Sequence, residues 1–175
     1  LQRDPKGEPI DPITASVDGT IVYINAKAGL SNYGNYIVMR HTVDGLTVYT
    51  LYAHLRKIAD GLKEGQFRKS GEVIAVMGRT ANTKQGISTE RAHLHFELNF
   101  MANDNYVAWR KTNLPGLRND HGMWNGQNLI GIDPWELFLE QRGAKAKKQP
   151  FRLLKLIKSQ PVLCRVRIPG TQLKW

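Results

Sequence analysis

The sequence contains too little cysteine and too few long apolar runs for several classes of protein. Cys164 is the only cysteine among 175 residues, which excludes an internal disulfide framework and a cysteine-rich zinc site. No run of about 18 apolar residues occurs, so no transmembrane helix is indicated. Residues 1–6 lack the apolar segment of a secretory signal peptide. These absences favour a globular protein with room for one domain and an appendage.

Acidic residues are absent after Glu140, and this absence locates the net charge of +10. Residues 141–175 hold ten of the 25 Lys and Arg residues and no Asp or Glu, whereas the two signs cancel in residues 1–140. The sequence therefore predicts an electroneutral main domain over residues 1–140 and a basic tail over residues 141–175. Nucleic-acid binding by the tail would rest on charge alone, so no nucleic-acid partner is expected.

The basic tail has two interpretations. Residues 151–158 can form one short basic amphipathic helix, able to contact an anionic cell-wall polymer or a membrane surface. The alternative is a poorly ordered, solvated terminus, which the charge cluster from Lys145 to Lys148 and the terminal position favour.

Alternating apolar residues and turn-forming dipeptides predict a series of strands. The clearest pair joins residues 35–41 to residues 46–53 through the hairpin turn Asp44-Gly45. The other predicted strands are residues 13–17, 20–24, 72–78 and 93–100. Joined by turns that contain glycine, these strands favour an antiparallel β core.

Only one segment clearly predicts a helix. Residues 133–140 have Asp133 as a candidate N-cap and Pro134 at the first helical position. Residues 101–131 show no clear period and are interpreted as an irregular insertion with aromatic anchors. The predicted fold is therefore mainly β, an open antiparallel sheet or sandwich with one short C-terminal helix before the basic tail.

Histidines provide the clearest chemical signal. His93 and His95 are two residues apart, and along a strand such side chains point to the same face. Two imidazoles on one face suit a metal site, although a solvated or hydrogen-bonded pair is the simpler explanation of an isolated His-x-His. His54, at the end of the strand over residues 46–53, adds a third imidazole. Catalytic zinc sites commonly combine three His or Asp/Glu ligands with a water whose pKa the metal lowers.

Several short segments then occur in an order and spacing that identify a family. They are Gly34 to Val38, Tyr52 to Leu55, Gly71 to Ile74 with Met77-Gly78, Ser88-Thr89, and His93 to Glu97. In these segments the sequence resembles the lysostaphin/LytM-type zinc metallopeptidases, which are bacterial cell-wall endopeptidases. The resemblance covers residues 7–140 and implies an open antiparallel β structure with a groove over the sheet.

The resemblance also implies a role for each histidine of the matched segments. His95 corresponds to a zinc ligand, whereas His93 and His54 correspond to catalytic residues that position the nucleophilic water and stabilise the intermediate. Zinc is the implied cofactor, peptidoglycan peptides are the implied partner, and the cell envelope or extracellular space is the implied location. Groove or turn positions are implied for Asn35, Tyr36 and Ser88.

The family's two other zinc ligands belong to an His-x-x-x-Asp motif that has no match here. No histidine precedes His41, and Asp4 would need a histidine partner before Leu1. We expect this motif to have been removed by truncation just upstream of Leu1; a natural degenerate member of the family is the alternative. The chain as given would then be metal-poor and inactive.

Two functions follow from these residues. The leading hypothesis is a zinc-dependent endopeptidase domain that hydrolyses peptide bonds of peptidoglycan. The alternative is a catalytically dead cell-wall-binding or regulatory module that keeps the same fold. Among the other histidines, His41 is interpreted as an ordinary strand-end residue, and His121 is assigned no role.

Overall fold

The computed structural model describes residues 1–83 and 86–160, and its strands form two antiparallel sheets. The strands are β1 (Pro12–Thr14), β2 (Gly19–Asn25), β3 (Tyr36–Val43), β4 (Leu46–Ala53), β5 (Lys57–Ile58), β6 (Phe67–Arg68), β7 (Val73–Val76), β8 (His95–Met101) and β9 (Leu129–Ile132). The α-helices are α1 (Tyr106–Asn113), α2 (Pro134–Ala146) and α3 (Leu153–Ser159). The prediction of a mainly β fold is confirmed.

The larger sheet has the strand order β6-β2-β3-β4-β8-β9, and the smaller one has the order β1-β7-β5. The centre of the larger sheet is the hairpin of β3 and β4. Its turn places Asp44 at φ 57° and Gly45 at φ 78°, the left-handed pair that matches the twist of a two-residue hairpin. The register of β4 and β8 then pairs Ala53 with His95, which brings the ends of these two strands together.

Side chains alternate between the two faces of the larger sheet. Ile37, Met39 and Tyr52 point towards the smaller sheet and form one buried cluster with its residues. Val38 and Leu51 point the other way and join a second cluster that contains several aromatic side chains. We call the face that carries Val38 and Leu51 the groove face, and the face that carries Ile37, Met39 and Tyr52 the packed face. Because His95 pairs with Ala53, whose side chain lies in the second cluster, His95 lies on the groove face.

Helices α2 and α3 pack against the part of the packed face that holds Val48 and Leu98. A third cluster joins Val48 and Leu98 of that face to Leu153 of α3, with Leu137 of α2 packed against it. One of the two interpretations of residues 151–158, a short helix, therefore agrees with α3. The last 15 residues of the predicted tail, residues 161–175, lie outside the described residues. No helix in the part of the chain that the structure describes is long and apolar enough to cross a membrane.

The structure corrects three details of the sequence prediction. The strand predicted over residues 93–100 begins only at His95, because β4 ends at Ala53 and offers no partner for His93. The insertion predicted over residues 101–131 contains α1 and β9. The helix predicted over residues 133–140 continues to Ala146, and the oxygen of Asp133 caps it by accepting a hydrogen bond from the Trp135 amide.

Candidate functional site

His54 follows β4 in a strained backbone conformation. Its φ is 60°, a left-handed value that is uncommon for residues other than glycine and that clusters at functional sites. The backbone N–H of His54 donates to the carbonyl oxygen of Tyr33 at 2.8 Å, and the next amide, of Leu55, donates to Asn35 at 3.0 Å. These two bonds hold the turn that lifts the imidazole out of the sheet.

The ring of His54 is oriented by Thr80. Its Nδ1 lies 2.8 Å from the Thr80 carbonyl oxygen, which only accepts, so Nδ1 carries the proton and Nε2 keeps its lone pair. Burial lowers the pKa of His54, the bond to Thr80 opposes this, and the neighbouring His93 and His95 lower the pKa further. The imidazole is therefore held in its neutral form, with Nε2 free to accept a proton.

Two glycines allow this close arrangement. A Cβ on Gly34, which has φ +63°, would lie within van der Waals overlap of the Thr80 carbonyl. A Cβ on Gly78 would lie 2.7 Å from the carbonyl oxygen of His54. Thr80 itself is fixed by its hydroxyl, which donates to Leu55 and accepts from the amide of Asn35. Any side chain at either glycine would displace the backbone that sets the orientation of His54.

His93 approaches from the loop before β8. A single 3-10 turn over Thr89–Arg91 precedes it, and its Nδ1 lies 2.7 Å from the carbonyl oxygen of Arg91. The carbonyl again forces Nδ1 to donate, so the other nitrogen, Nε2, is the free one in a neutral ring. The ring is exposed and its centroid lies 5.0 Å from that of His54.

His95 uses the opposite nitrogen. Its Nε2 lies 2.6 Å from Oε1 of Glu97, two residues along the same face of β8. A carboxylate accepts, so Nε2 donates and Nδ1 is the nitrogen with a free lone pair in a neutral ring. The ring of His95 lies 5.7 Å from that of His54, centroid to centroid, and almost perpendicular to it.

Glu97 is itself held by further donors. The hydroxyl of Tyr33 donates to Oε1 at 2.9 Å, and the amide of Asn99 donates to Oε2 at 2.9 Å. Burial alone would raise the pKa of Glu97, but the hydrogen bonds from His95, Asn99 and Tyr33 outweigh it and lower the pKa below its usual value. The carboxylate therefore stays charged and keeps the His95 ring in one orientation.

The three histidines predicted from the sequence thus lie side by side at one end of the groove face. Each commits one ring nitrogen to a protein oxygen: Thr80 for His54, Arg91 for His93 and Glu97 for His95. The other nitrogen of each ring makes no hydrogen bond to the residues that the structure describes. The positions agree with a shared site, while the role of each residue stays a prediction.

Aromatic side chains form the wall beside this cluster. Tyr33 contacts the ring of His95 at 5.4 Å, and Tyr36 lies 5.3 Å from Tyr33, both between ring centroids. His121 belongs to this wall, with Nδ1 bonded to the Tyr23 hydroxyl and Nε2 to the carbonyl oxygen of Leu30. Because both of its nitrogens are engaged, His121 serves to hold the wall together.

Asn35 contributes a polar atom next to His54. Its Nδ2 donates to the carbonyl oxygen of Leu55 at 3.1 Å. Its Oδ1 is buried and finds no hydrogen-bond partner among residues 1–83 and 86–160. A buried acceptor without a donor is costly, which is a common property of residues that bind a ligand.

The described side chains of the cluster supply one candidate zinc ligand. Nδ1 of His95 is available, but the described residues contain no group of three or more His, Cys, Asp or Glu side chains close enough to hold a metal ion. Asp4, the carboxylate that the sequence placed near the expected motif, is engaged elsewhere. It pairs with Arg56 at 3.0 Å and accepts the amides of Lys6 and Glu8. The residues described here therefore do not complete a zinc site.

His41 is more deeply placed than the sequence suggested. It lies within β3 on the packed face, buried, with Nδ1 bonded to Asp18 and Nε2 to the Thr50 hydroxyl at 2.7 Å. Burial lowers its pKa, and the bond to the Asp18 carbonyl opposes this. It is a structural residue of the sheet and belongs to no site.

Sequence reasoning missed the residues that orient the imidazoles. Thr80 and Arg91 act through backbone carbonyls, which leave no side-chain signal in a sequence. Glu97 and Asn99 could have been found, because they continue the same-face series of His95 along β8. Tyr33 lies in the loop between β2 and β3, where no regular pattern marks it.

Known proteins resemble part of this chain. Residues 4–108 match the family model described as Peptidase family M23. Murein hydrolase activator NlpD of Escherichia coli K12 is 36% identical over 88 residues, which are 50% of this chain and 20% of that protein. Lipoprotein NlpD of Yersinia enterocolitica is 34% identical over 89 residues, 51% of this chain and 77% of that protein.

A solved structure is also similar. The catalytic domain of the antimicrobial peptidase lysostaphin from Staphylococcus simulans shares 28% identity, with a TM-score of 0.40 and coverage of 51% of this chain and 59% of that one. The chain spans about a fifth of the length of the murein hydrolase activators that it matches.

Proposed function

Because the chain belongs to peptidase family M23, we propose that it carries the catalytic groove of a zinc-dependent endopeptidase that hydrolyses peptide bonds of peptidoglycan. The observation that carries this proposal is the arrangement of His54, His93 and His95. Three imidazoles converge, and each has one nitrogen fixed by the protein and one nitrogen free. A merely structural histidine, such as His41, has both nitrogens engaged.

The free nitrogens divide the work of hydrolysis. Nε2 of the neutral His54 accepts the proton of the attacking water, and the proton then passes to the amine that leaves the broken peptide bond. Nε2 of His93 accepts a hydrogen bond from the attacking water and orients it towards the peptide carbonyl. His95 is the residue that would hold zinc, through Nδ1.

The substrate class rests on the relatives. Proteins named as murein hydrolase activators share more than a third of their aligned residues with this chain, and murein is peptidoglycan. Tyr33, which is partly exposed and rests on the buried Tyr36, gives the groove apolar surface against which an extended peptide can lie. We propose the cell envelope as the place of action for the same reason.

A second candidate is a peptidoglycan-binding module without catalysis. Two observations favour it: the described residues contain no group of three metal-binding side chains, and the matched relatives are named for activation of hydrolases. Such a module would keep the groove and its hydrogen bonds while another protein performs the hydrolysis.

One experiment separates the two functions. Purified peptidoglycan is incubated with zinc and with the chain preceded by an added segment that supplies the His-x-x-x-Asp motif; new amino groups are labelled, and protein bound to the sedimented wall is measured. An endopeptidase releases peptides with new N-termini, retains zinc by elemental analysis, and loses release in His54→Ala and His93→Ala. His95→Ala loses the zinc as well.

The control is His41→Gln, a change to a buried histidine on the opposite face of the sheet, which should leave the release unchanged once folding is verified. Wall binding without peptide release and without retained zinc, although the His-x-x-x-Asp motif is supplied, would instead establish the binding module. Zinc retained at wild-type level in His95→Ala would overturn the assignment of that ligand.

A further inference from the structure

The exposed side of α2 carries a stripe of large apolar and basic side chains. Positions 135, 138, 139 and 142 have the i, i+3, i+4, i+7 spacing of one helical face. Trp135 is 65% exposed, Phe138 46% and Leu139 44%, and Arg142 and Lys145 continue the stripe. We call these five residues the α2 stripe. Trp135 is the most exposed of the three apolar residues, whereas Phe138 stacks on Phe96 and Leu139 lines the cleft between α2 and α3.

Basic residues predominate near the α2 stripe. Residues 141–160 contain seven Lys and Arg residues and no acidic residue. Lys147, Arg152 and Lys155 line a cleft of about 330 Å³ between α2 and α3. Glu140 of α2 also lines this cleft, and Arg152 is paired with Asp44 at 2.7 Å, but the basic side chains outnumber the acidic ones. The surface beside the stripe is therefore strongly basic.

We propose that the α2 stripe and the basic residues around it dock the protein on an anionic lipid bilayer. A tryptophan, a phenylalanine and a leucine beside Lys and Arg form the surface that enters the boundary between headgroups and acyl chains. The positive charges attract anionic headgroups, and this attraction falls off within about a Debye length, roughly 8 Å at physiological salt. An anionic wall polymer would use the charges but offers no apolar layer for Trp135 and Leu139.

The fold gives this docking a direction. Phe96 stacks on Phe138 of α2 with ring centroids 6.1 Å apart, and it lies on the packed face because it pairs with Tyr52. His95, the residue before it, points to the groove face. The sheet therefore separates the α2 stripe from the histidines. A docked molecule would turn its groove away from the bilayer and towards the cell wall, a consequence that rests on the proposed function.

The test measures co-sedimentation of the full chain with vesicles of phosphatidylcholine alone and of phosphatidylcholine mixed with phosphatidylglycerol. We expect binding to the anionic vesicles, and a fall of at least about tenfold in affinity for the double variant Trp135→Ser/Leu139→Ser. The matched control is Trp109→Ser/Leu117→Ser on α1 and the loop after it, where two similarly exposed apolar residues are removed (45% and 60% exposed).

Charge is tested in the same way. Arg142→Glu/Lys145→Glu should weaken binding to the anionic vesicles by about tenfold or more, since each basic residue near the surface contributes about fivefold. The control Lys63→Glu/Lys69→Glu changes two exposed lysines elsewhere on the molecule. In addition, lipids brominated on the acyl chains should quench the fluorescence of the wild type more than that of Trp135→Phe.

Four results would overturn the proposal. They are equal binding to both kinds of vesicle, equal binding by the Trp135→Ser/Leu139→Ser variant and its control, binding confined to an anionic wall polymer, and a Trp135 already shielded from acrylamide in free solution. The last result would mean that another part of the chain covers the stripe. None of these measurements involves hydrolysis, so a failure here is distinct from a failure of the proposed function.

Discussion

The imidazole of His95 donates a hydrogen bond from Nε2 to Glu97 at 2.6 Å, and this pairing decides which of its nitrogens is free. The carboxylate is fixed in turn by Tyr33 and Asn99. Pairing of a histidine with a carboxylate is the usual way in which proteins orient a metal-binding imidazole and increase its basicity. Glu97 is therefore a positioning residue for His95.

Replacing Glu97 by Gln tests this relationship. The amide keeps the shape of the side chain but removes the negative charge that fixes the proton on Nε2 of His95, so we expect a mixture of tautomers. The ring nitrogen chemical shifts of His95 measure the mixture directly. In the zinc-loaded protein, the affinity for zinc should fall about 10- to 100-fold.

Two variants serve as controls for Glu97→Gln. Glu72→Gln makes the same change at an exposed carboxylate that accepts the backbone amide of Lys69, and it should leave His95 unaffected. Tyr33→Phe removes one donor to Glu97 but keeps the bond between Glu97 and His95, so it should change the tautomer of His95 less than Glu97→Gln does. An unchanged tautomer of His95 in Glu97→Gln would contradict the positioning role.

A second prediction concerns Gly34, where an added methyl group would overlap the carbonyl of Thr80. Gly34→Ala should destabilise the fold by about 2–4 kcal/mol, since it combines a left-handed φ with a backbone clash. It should also weaken the bond from His54 to Thr80. Chemical unfolding measures the first effect, and the ring nitrogen shifts of His54 measure the second.

Gly45→Ala is the matched control for Gly34→Ala. Gly45 has a similar φ of +78°, but nothing lies within 4 Å of an added Cβ. Its cost should be that of the backbone conformation alone, about 1 kcal/mol. If the two variants lose equal stability and His54 is unaffected in both, close packing between Gly34 and Thr80 does not orient the site.

The sequence predicts where His54 and His95 lie in their own strands, and only the family resemblance predicts that they meet. The Asp44-Gly45 turn defines the hairpin of β3 and β4, so His54 had to lie at one end of a strand, and alternation placed His95 on one face of another. The sequence could not show that β4 stops at Ala53. That end leaves His93 outside the sheet and removes the same-face geometry that a longer strand would give to His93 and His95.

Other features depend on contacts between distant segments. Helix α1 has only Tyr106 and Arg110 buried, and its sequence lacks the regular apolar spacing that would have predicted a helix in residues 101–131. Arg110 is held there by the Gln127 oxygen at 2.6 Å, a partner that no local pattern reveals. The orienting carbonyls of Thr80 and Arg91 are likewise set by the course of the loop between β7 and β8.

A third prediction concerns Tyr52, which links the larger sheet to the segment after β1. Its hydroxyl accepts the backbone amide of Ser16 at 2.9 Å and lies 2.8 Å from the Ser16 hydroxyl. Tyr52→Phe preserves the buried ring but leaves that amide without an acceptor, so we expect a loss of about 1–3 kcal/mol in the free energy of unfolding. Ser16→Ala, which keeps the amide bond, should cost less, and the reverse order would contradict this account.

The last prediction is a loss of stability in mild acid that originates at His41. Because burial lowers the pKa of His41 in the folded protein, the unfolded chain binds its proton at a higher pH than the folded chain does. Its contribution to stability is therefore fully present above the ordinary histidine value of about 6.5 and is lost as the pH falls below it. His54, whose pKa is also lowered, acts in the same direction.

Urea unfolding at pH 7.5 and pH 5.5 should give a clearly lower midpoint in acid. In His41→Gln the free energy of unfolding at pH 7.5 should already be lower by about 1–3 kcal/mol, because the bonds to Asp18 and Thr50 are weakened. The further fall in the free energy of unfolding between pH 7.5 and pH 5.5 should be smaller in His41→Gln than in the wild type, because the titrating group is gone. An equal fall in both proteins would show that His41 is not the origin of the acid sensitivity.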